Sequence, residues 1–301
     1  MRWIVRNIIK RTKRQYYFDY FNKRYIRVAR RTRYHTLNDG AFTRDGYDAA
    51  ISGSDQVWNP EFAFNTDFEF LPFVPPEKRY SYAASFGVDE VPPDRYEDIG
   101  RLLREMREIS VREETGRAIV KELANRDVPV HVDPTLLLEL SDYERLVEKP
   151  PQTLPERYII TYFLDEVSDS CRSFISRTAE NLGLPVIMLN EWRENPFFDI
   201  GPQHFLYLIQ NADYVCTDSF HGTVFSILFH RQFTCFYRQG KDSRMGSRLN
   251  TLLGILRLED RLYDVRPSEQ AREIDYAAVD KAIDGEREIA TAYLRKIVEQ
   301  L

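Results

Sequence analysis

One histidine stands at the junction of an apolar strand and an apolar helix, in the segment TDSFHGT at residues 217–223. This pattern predicts His221 at the N-terminus of the helix. Free backbone N–H groups and the positive end of the helix dipole favour an anion there, and they disfavour a charged imidazole. A neutral histidine can move protons near pH 7. The alternative is that Asp218 or Ser219 caps the helix and His221 is a buried hydrogen-bonding residue, and the spacing leaves both interpretations open.

Two further segments carry arginines that suggest anion binding. Arg112 follows a predicted strand at residues 109–111. A guanidinium in that place could bind a carboxylate or phosphate through two N–H groups, or form a salt bridge with a nearby acid. The segment 238–248 contains Arg244 and Arg248 together with glycines, which fits a mobile cationic flap over an anionic ligand or a solvated surface loop.

Polar segments follow the predicted strands along the whole chain. In open parallel sheets the ligand crevice lies outside the carboxyl ends of the strands, so we expect these segments to converge on one cleft between two domains. The alternative is that loops are polar in any protein. The segments are Ser52–Gln56, which includes Ser54, Asp55 and Gln56, then Ser85–Gly87, Arg112, Asp133–Pro134 and Asp218–His221.

Two blocks of alternating strands and helices would position these side chains, a pattern typical of parallel sheets. Prolines around Pro150 interrupt the pattern and predict a domain boundary, with an N-terminal domain over 1–150 and a C-terminal domain over 151–301. In the first block we predict strands at 47–51, 79–84, 108–111 and 128–132, and helices at 94–107 and 113–125.

The second block repeats the alternation and ends in a long helix. We predict strands at 158–164, 185–189, 214–217 and 233–237, and helices at 170–182, 202–210 and 222–229. Asp275 is the predicted N-cap of a terminal helix over 275–301. Its apolar residues recur at near-helical spacing, namely Val279, Ala282, Ile283, Ile289, Ala290, Tyr293, Leu294, Ile297 and Leu301.

Composition excludes several classes of protein. With 301 residues, 43% of them apolar, the chain can bury a core and is not intrinsically disordered. We find no signal peptide, and no apolar run near the roughly 18 residues that a membrane-spanning helix needs. The 3 cysteines form no CxxC pair, which suits a reducing cytoplasm. We see no GxGxxG, Walker A or HExxH sequence and no three-ligand metal site, so we expect a cytoplasmic protein without a metal.

Charge is divided unevenly along the chain. Residues 1–34 contain 12 Lys and Arg against a single acid, Asp19, so they carry a net charge of +11. Because the net charge of the whole chain is −5, the remaining residues carry −16. This basic leader, predicted to be helical within residues 1–46, could contact nucleic acid, anionic lipid or the acidic body of its own protein. No nucleic-acid motif accompanies the charge, so we do not expect nucleic acid as a partner.

Five segments occur in an order that resembles the polysaccharide pyruvyl transferase family. They are SGSDQVWNP at 52–60, YAASFG at 82–87, SVRE at 110–113, DPTLLL at 133–138 and TDSFHGTVF at 217–225, and the resemblance extends from about residue 47 to 261. It implies an α/β fold of two Rossmann-like domains similar to the GT-B glycosyltransferases. It also implies transfer of a pyruvyl group from phosphoenolpyruvate to a sugar of a capsule or exopolysaccharide, or of its lipid-linked precursor, without a further cofactor.

This chemistry suits the residues already singled out, because phosphoenolpyruvate carries a carboxylate and a phosphate and must be protonated to react. We therefore expect His221 to move the proton, Arg112 to grip the carboxylate or phosphate, and Arg248 to add contacts to the anion. The remaining expected substrate-binding residues are Ser54, Asp55, Gln56, Ser85, Asp218, Ser219 and Arg244.

The chain departs from the family pattern in two places. Family members often carry Arg-Leu-His where this chain has Ser219-Phe220-His221, so one cation is missing and Arg244 or Arg248 would have to replace it. Family members also usually begin with a strand and a loop that enters the cleft. This chain starts in the basic region that would follow them, and the first β/α unit is expected to be absent.

Two other functions stay open. One is a GT-B sugar transferase with a nucleotide-sugar donor, because fold alone does not determine chemistry. The other is a non-catalytic family member, which the missing first β/α unit suggests. The expected partners are phosphoenolpyruvate and a saccharide acceptor, with peripheral contact to the inner, anionic membrane face through residues 1–34 as a separate hypothesis. The oligomeric state stays open.

Overall fold

A computed structural model describes residues 2–26, 46–62, 67–189, 195–238, 246–263 and 273–301. The chain divides into two compact units, each built from separate parts of the sequence. The His221 unit comprises Met1–Ala29, Leu138–Asp242 and Asp260–Ile274. The Arg112 unit comprises Arg30–Leu137, Ser243–Glu259 and Asp275–Leu301. The linear division near Pro150 stays a prediction.

The described chain contains both helices and strands, and the two alternate regularly from Ile159 to Cys235. The helices are α1 (Arg2–Tyr25), α2 (Tyr96–Arg104), α3 (Glu114–Ala124), α4 (Leu140–Glu144), α5 (Asp169–Leu182), α6 (Pro202–Gln210), α7 (Phe220–Leu228), α8 (Ser247–Leu256) and α9 (Tyr276–Glu299). The strands are β1 (Ala50–Ser52), β2 (Arg79–Ser81), β3 (Ile159–Tyr162), β4 (Val186–Leu189), β5 (Tyr214–Thr217) and β6 (Gln232–Cys235). All strand pairs are parallel, so the predicted α/β class is confirmed.

In the Arg112 unit, β1 and β2 are extended by further segments that pair only through single parallel bridges. The bridges join Tyr80 to Glu108, Ala84 to Val111 and Val111 to Val130. The predictions of regular strands at 108–111 and 128–132 were therefore wrong in detail, although both segments lie in the expected parallel order. Serine hydroxyls take over part of the ladder, because Ser81 Oγ accepts the Ser110 N–H at 3.0 Å and Ser110 Oγ accepts the Ala83 N–H at 2.9 Å.

Aromatic residues anchor the turn that follows β1. Trp58 is 1% exposed, and its ring lies 4.9 Å from Phe70 and 5.4 Å from Phe86 between centroids. Full burial of side chains of this size stabilises a fold by roughly 1.5–3 kcal/mol each. This aromatic packing fixes the backbone just before Trp58 and just after Phe86.

The His221 unit contains a four-stranded sheet in the order β4-β3-β5-β6. Its strands and helices confirm the predicted second block. Ser168 caps α5 by accepting the Cys171 N–H at 3.2 Å, and α5 ends at Gly183, whose φ of 64° is the left-handed conformation that favours glycine. Ile160 and Val215 are both 0% exposed, as expected for central strands buried on both faces.

The predicted helical leader is seen as α1, which packs on the N-terminal end of α6. The guanidinium of Arg14 lies 4.9 Å from the ring centroid of Phe198, and the ring of Tyr17 meets that of His204 edge-on at 4.6 Å. None of the helices in the described part of the chain combines the length and the apolar character needed to cross a bilayer. Membrane contact through residues 1–34 stays a prediction.

The terminal helix α9 follows the predicted apolar face over most of its length. Asp275 is its N-cap and accepts the Ala278 N–H at 3.2 Å, as predicted. Tyr293 is buried and donates its hydroxyl to the Ser81 carbonyl at 2.9 Å. Ile289 and Leu301 were wrongly included in the apolar face, since they are 55% and 59% exposed.

Candidate functional site

Polar side chains gather where the parallel segments of the Arg112 unit end. We call this group the arginine cluster. Three of the segments contribute residues shortly after their last paired positions, which are Ser52, Val111 and Val130. α8 adds one residue from its first turn. The members of the cluster are Ser54, Asp55, Gln56, Arg112, Asp133 and Arg248.

Arg112 is held from one side by a buried carboxylate. Its Nη1 lies 2.6 Å from Asp133 Oδ2, and both side chains are 2% exposed. Asp133 accepts further hydrogen bonds from Ser54 Oγ at 2.9 Å and from Thr135 N and Oγ1 at 3.0 and 2.8 Å. A buried ion pair satisfied in this way is costly to break, about 3–5 kcal/mol when one partner is removed. Asp133 thus orients the guanidinium of Arg112.

Arg248 approaches the same place from α8. Its side chain is 5% exposed, and Nη1 lies 3.8 Å from Asp55 Oδ1. With the Gln56 amide turned so that its oxygen faces Arg248, that oxygen accepts from Nη1 and Nη2 at 3.3 and 3.2 Å. Arg112 Nη2 contacts the same Asp55 Oδ1 at 3.2 Å. Two buried guanidinium groups therefore meet at one carboxylate oxygen.

Asp55 differs from the other charged members of the cluster in its exposure. Its side chain is 62% exposed, whereas those of Arg112, Asp133 and Arg248 are 2 to 5% exposed. The four formal charges cancel when Asp55 is in place. If its carboxylate swings into solvent, the remaining three groups present a net positive charge, which is what an anionic ligand requires.

Ser85 has a different surrounding from the one expected of a substrate-binding residue. It is 0% exposed, and its hydroxyl donates to Glu113 Oε1 at 3.0 Å. The expectation of a direct substrate contact stays a prediction. Asp133 belongs to one of the polar segments expected at the cleft, and its contact with Arg112 at 2.6 Å shows which partner it has. Sequence reasoning gave no role to Glu113, which follows Arg112.

In the His221 unit, a second polar group lies between β5 and α7. His221 is in the first turn of α7 and partly exposed, so its predicted placement is confirmed. Ser219 caps the helix by accepting the Gly222 N–H at 3.2 Å. Thr217 Oγ1 accepts the Ser219 N–H at 3.0 Å and donates to the Tyr162 carbonyl at 2.6 Å. Of the two residues proposed as the cap, Ser219 is the cap, and His221 follows it in the first turn of the helix.

Asp218 joins the loop after β5 to the loop after β3. Its carboxylate accepts the backbone N–H groups of Leu164 at 2.7 Å and Asp165 at 3.1 Å. Burial raises the pKa of this carboxyl, and the two backbone hydrogen bonds oppose that shift. These contacts describe a loop-fixing role; direct contact of Asp218 with a substrate stays a prediction.

Two further predictions about the site concern Arg244 and a shared cleft. Arg244 and most of the predicted flap at 238–248 lie outside the described residues. The expectation that Arg112 and His221 serve one cleft stays a prediction. Among the described residues, no group of three His, Cys, Asp or Glu side chains lies close enough together to hold a metal ion.

Parallel α/β units with cationic and helix-terminal groups at the carboxyl ends of their strands form a class that commonly binds small anionic, often phosphorylated, ligands. A family model for polysaccharide pyruvyl transferases matches residues 3–240. Because the match covers more than half of the chain, the protein belongs to that family. No curated protein matches it closely enough to count as a relative. The family predicted from the five sequence motifs is therefore confirmed.

Proposed function

We propose that this protein transfers a pyruvyl group from phosphoenolpyruvate to two hydroxyls of a saccharide, which then carries a pyruvate ketal. Membership of the polysaccharide pyruvyl transferase family supports the reaction class. The donor is proposed from the chemistry of the arginine cluster, and the acceptor is a sugar of a surface polysaccharide or of its lipid-linked precursor.

The observation that carries the proposal is the carboxylate of Asp55 between Arg112 and Arg248. Its Oδ1 lies 3.2 Å from Arg112 Nη2 and 3.8 Å from Arg248 Nη1. A carboxylate or phosphate oxygen of the donor would find the same two guanidinium groups once Asp55 moves aside. Arginine suits this task because its planar N–H groups match both kinds of anion.

The proposed reaction needs a proton as well as anion contacts. Protonation of the donor's methylene carbon makes the neighbouring carbon electrophilic, and an acceptor hydroxyl adds there with loss of its proton. The C–O bond to phosphate then breaks, and a second hydroxyl adds to close the ketal. Overall, one donor and one diol give one ketal and one hydrogen phosphate. We assign the proton transfer to His221, which lies partly exposed in the first turn of α7, because histidine is the side chain that most often transfers protons in enzymes.

Replacing His221 tests that assignment. We expect His221→Ala to abolish phosphate release from phosphoenolpyruvate while the melting temperature stays nearly unchanged, because the partly exposed ring is not a core residue. Turnover would be followed by phosphorus NMR with a panel of saccharide acceptors. His230→Asn is a matched control, since His230 is exposed near the other end of α7 and its φ of 54° suits asparagine. Full turnover in His221→Ala would remove His221 from the mechanism.

A second donor class is favoured by one observation. Ser219 occupies the position where family members often have an arginine, and here it caps α7. A nucleotide-sugar donor, transferred by a GT-B type enzyme, is therefore the alternative. Thermal-shift titration separates the two: stabilisation by phosphoenolpyruvate supports pyruvyl transfer, whereas stabilisation by nucleotide sugars alone supports the alternative.

A further inference from the structure

Glu113 is a buried carboxylate that reaches across to the segment after β2. It is 0% exposed, although it directly precedes α3 and could have capped that helix. Its Oε1 instead accepts three hydrogen bonds, from Ser85 Oγ at 3.0 Å, Phe86 N at 2.9 Å and Gly87 N at 3.1 Å. In the described part of the chain Oε2 has no hydrogen-bond partner. Glu113 therefore acts through a single oxygen on three consecutive residues.

Those three residues support the turn that contains Asp55 and Gln56. The Ser85 N–H donates to the Asp55 carbonyl at 3.0 Å, and the Ser85 carbonyl accepts the Trp58 N–H at 3.1 Å. Gly87 has a φ of 64°, and a Cβ built on it would overlap the terminal amide group of Gln56. The Gln56 side chain thus rests directly on the Gly87 backbone, which explains why a glycine stands there.

The same turn positions side chains of the arginine cluster. Asp55 contacts Arg112 and Arg248, and with its amide oxygen turned toward Arg248, Gln56 accepts from Nη2 and Nη1 at 3.2 and 3.3 Å. A continuous series of hydrogen bonds and one close backbone contact therefore runs from Glu113 to Arg248. Displacement of the 85–87 segment would move the groups against which Arg248 is held.

We propose that Glu113 is a positioning residue for the donor site, fixing Ser85–Gly87 and through it the Asp55–Gln56 turn that orients Arg248. The inference rests on the proposed function for the identity of the donor. It deepens that function by adding a residue that touches no substrate and still controls the affinity for the donor's anionic groups.

Two substitutions of Glu113 distinguish the effect of its side-chain length from the effect of its charge. Glu113→Gln keeps an oxygen acceptor at the same reach, so we expect the dissociation constant for phosphoenolpyruvate to stay close to that of the unmodified protein. Glu113→Asp keeps the charge but shortens the side chain by one methylene, so that its carboxylate no longer reaches all three donors. Loss of one well-placed hydrogen bond between Arg248 and an anionic donor costs about 1.5 kcal/mol, or about tenfold in affinity. We therefore expect KM and the dissociation constant to rise about tenfold in Glu113→Asp with kcat little changed, because Glu113 does not contact the reacting atoms.

The matched control is Glu114→Gln, the next residue in the chain. The Glu114 side chain is 65% exposed and pairs with Arg117 at 3.8 Å, so donor affinity should not change. Equal losses of affinity in Glu113→Gln and Glu113→Asp that follow their losses of thermal stability would overturn the proposal, since they indicate only a structural role.

A donor-independent measurement distinguishes failure of the inference from failure of the proposed function. Crystal structures of the unmodified protein and of Glu113→Asp should differ at Ser85–Gly87 and in the contact between Gln56 and Arg248. An unmoved contact would overturn the positioning role whatever the donor is. If the unmodified protein does not bind phosphoenolpyruvate at all, the proposed function fails, while the structural comparison still decides the role of Glu113.

Discussion

Asp55 has a left-handed backbone with a φ of 62°, which few residues other than glycine, asparagine and aspartate adopt readily. Its exposed carboxylate lies against two arginines whose side chains are 2% and 5% exposed. The residue therefore occupies an anion position at some conformational cost. In the proposed function it competes with the donor for that position.

Replacing Asp55 by asparagine should strengthen donor binding. Asparagine tolerates the same φ and removes one negative charge, so the cluster changes from neutral to positive. Removing one exposed negative charge should improve the binding free energy of phosphoenolpyruvate by on the order of 0.5–1 kcal/mol. This change corresponds to a dissociation constant about two- to fivefold lower. Isothermal titration calorimetry would measure it, with Asp48→Asn as an exposed control beside the same strand. Weaker binding in Asp55→Asn would show that Asp55 assists the donor rather than competing with it.

At the scale of elements, the junction of β5 and α7 depends on a close approach that only glycine permits. A Cβ on Gly222 would lie 2.5 Å from Thr217 Oγ1. That hydroxyl cannot easily move, because it donates to the Tyr162 carbonyl at 2.6 Å and accepts the Ser219 N–H at 3.0 Å. The glycine thus allows the first turn of α7, which carries His221, to start close against the end of β5.

Substitution of this glycine should therefore be costly. Gly222→Ala forces a backbone or side-chain shift, and overpacking of this kind destabilises proteins by about 1–3 kcal/mol. Gly285→Ala is a matched control in the interior of α9, where a Cβ meets nothing within 4 Å. It should stabilise the protein by roughly 0.5–1 kcal/mol, since alanine is the better helix former. Denaturant unfolding measures both, and a neutral Gly222→Ala would show that the junction can relax.

At the scale of the whole molecule, the buried histidines couple stability to pH. His131 is 3% exposed and lies between aromatic rings, with centroids 5.9 Å from Tyr82 and 4.8 Å from Tyr293. Neither ring nitrogen has a hydrogen-bond partner in the described residues. Burial lowers the pKa of His131, and it also lowers the pKa of His204.

Stability should consequently fall as the solution becomes acidic. The unfolded chain takes up a proton on each histidine near its ordinary pKa of about 6.5, while the folded protein does not until a lower pH. The part of the free energy of unfolding that depends on these neutral histidines is fully present above about pH 6.5 and is lost as the pH falls below that value. We expect the urea concentration at the unfolding midpoint to fall less between pH 8 and pH 5.5 in His131→Phe than in the unmodified protein. An unchanged pH dependence in this variant would show that His131 is not a source of the coupling.

Much of this protein could be predicted from local patterns. The order of strands and helices in the His221 unit, the Asp275 cap and the position of His221 follow from apolar periodicity and capping, which act over a few residues. The family followed from five short motifs. The segments 108–111 and 128–132 were misjudged as regular strands. At 108–111 the hydroxyls of Ser81 and Ser110 replace ladder bonds, which no periodicity records. The segment 128–132 pairs through the isolated bridge between Val111 and Val130.

The sequence by itself determined the class of fold, the family and the location of polar groups at the carboxyl ends of parallel strands. Only the tertiary structure decided which partner each charge meets. Arg112 is 57 positions from Asp55 and 21 from Asp133 along the chain, and both contacts depend on how neighbouring segments pair. Side-chain pairing across a sheet depends on register and on turn conformation, so the roles of Asp133 and Glu113 appear only when the chain is folded.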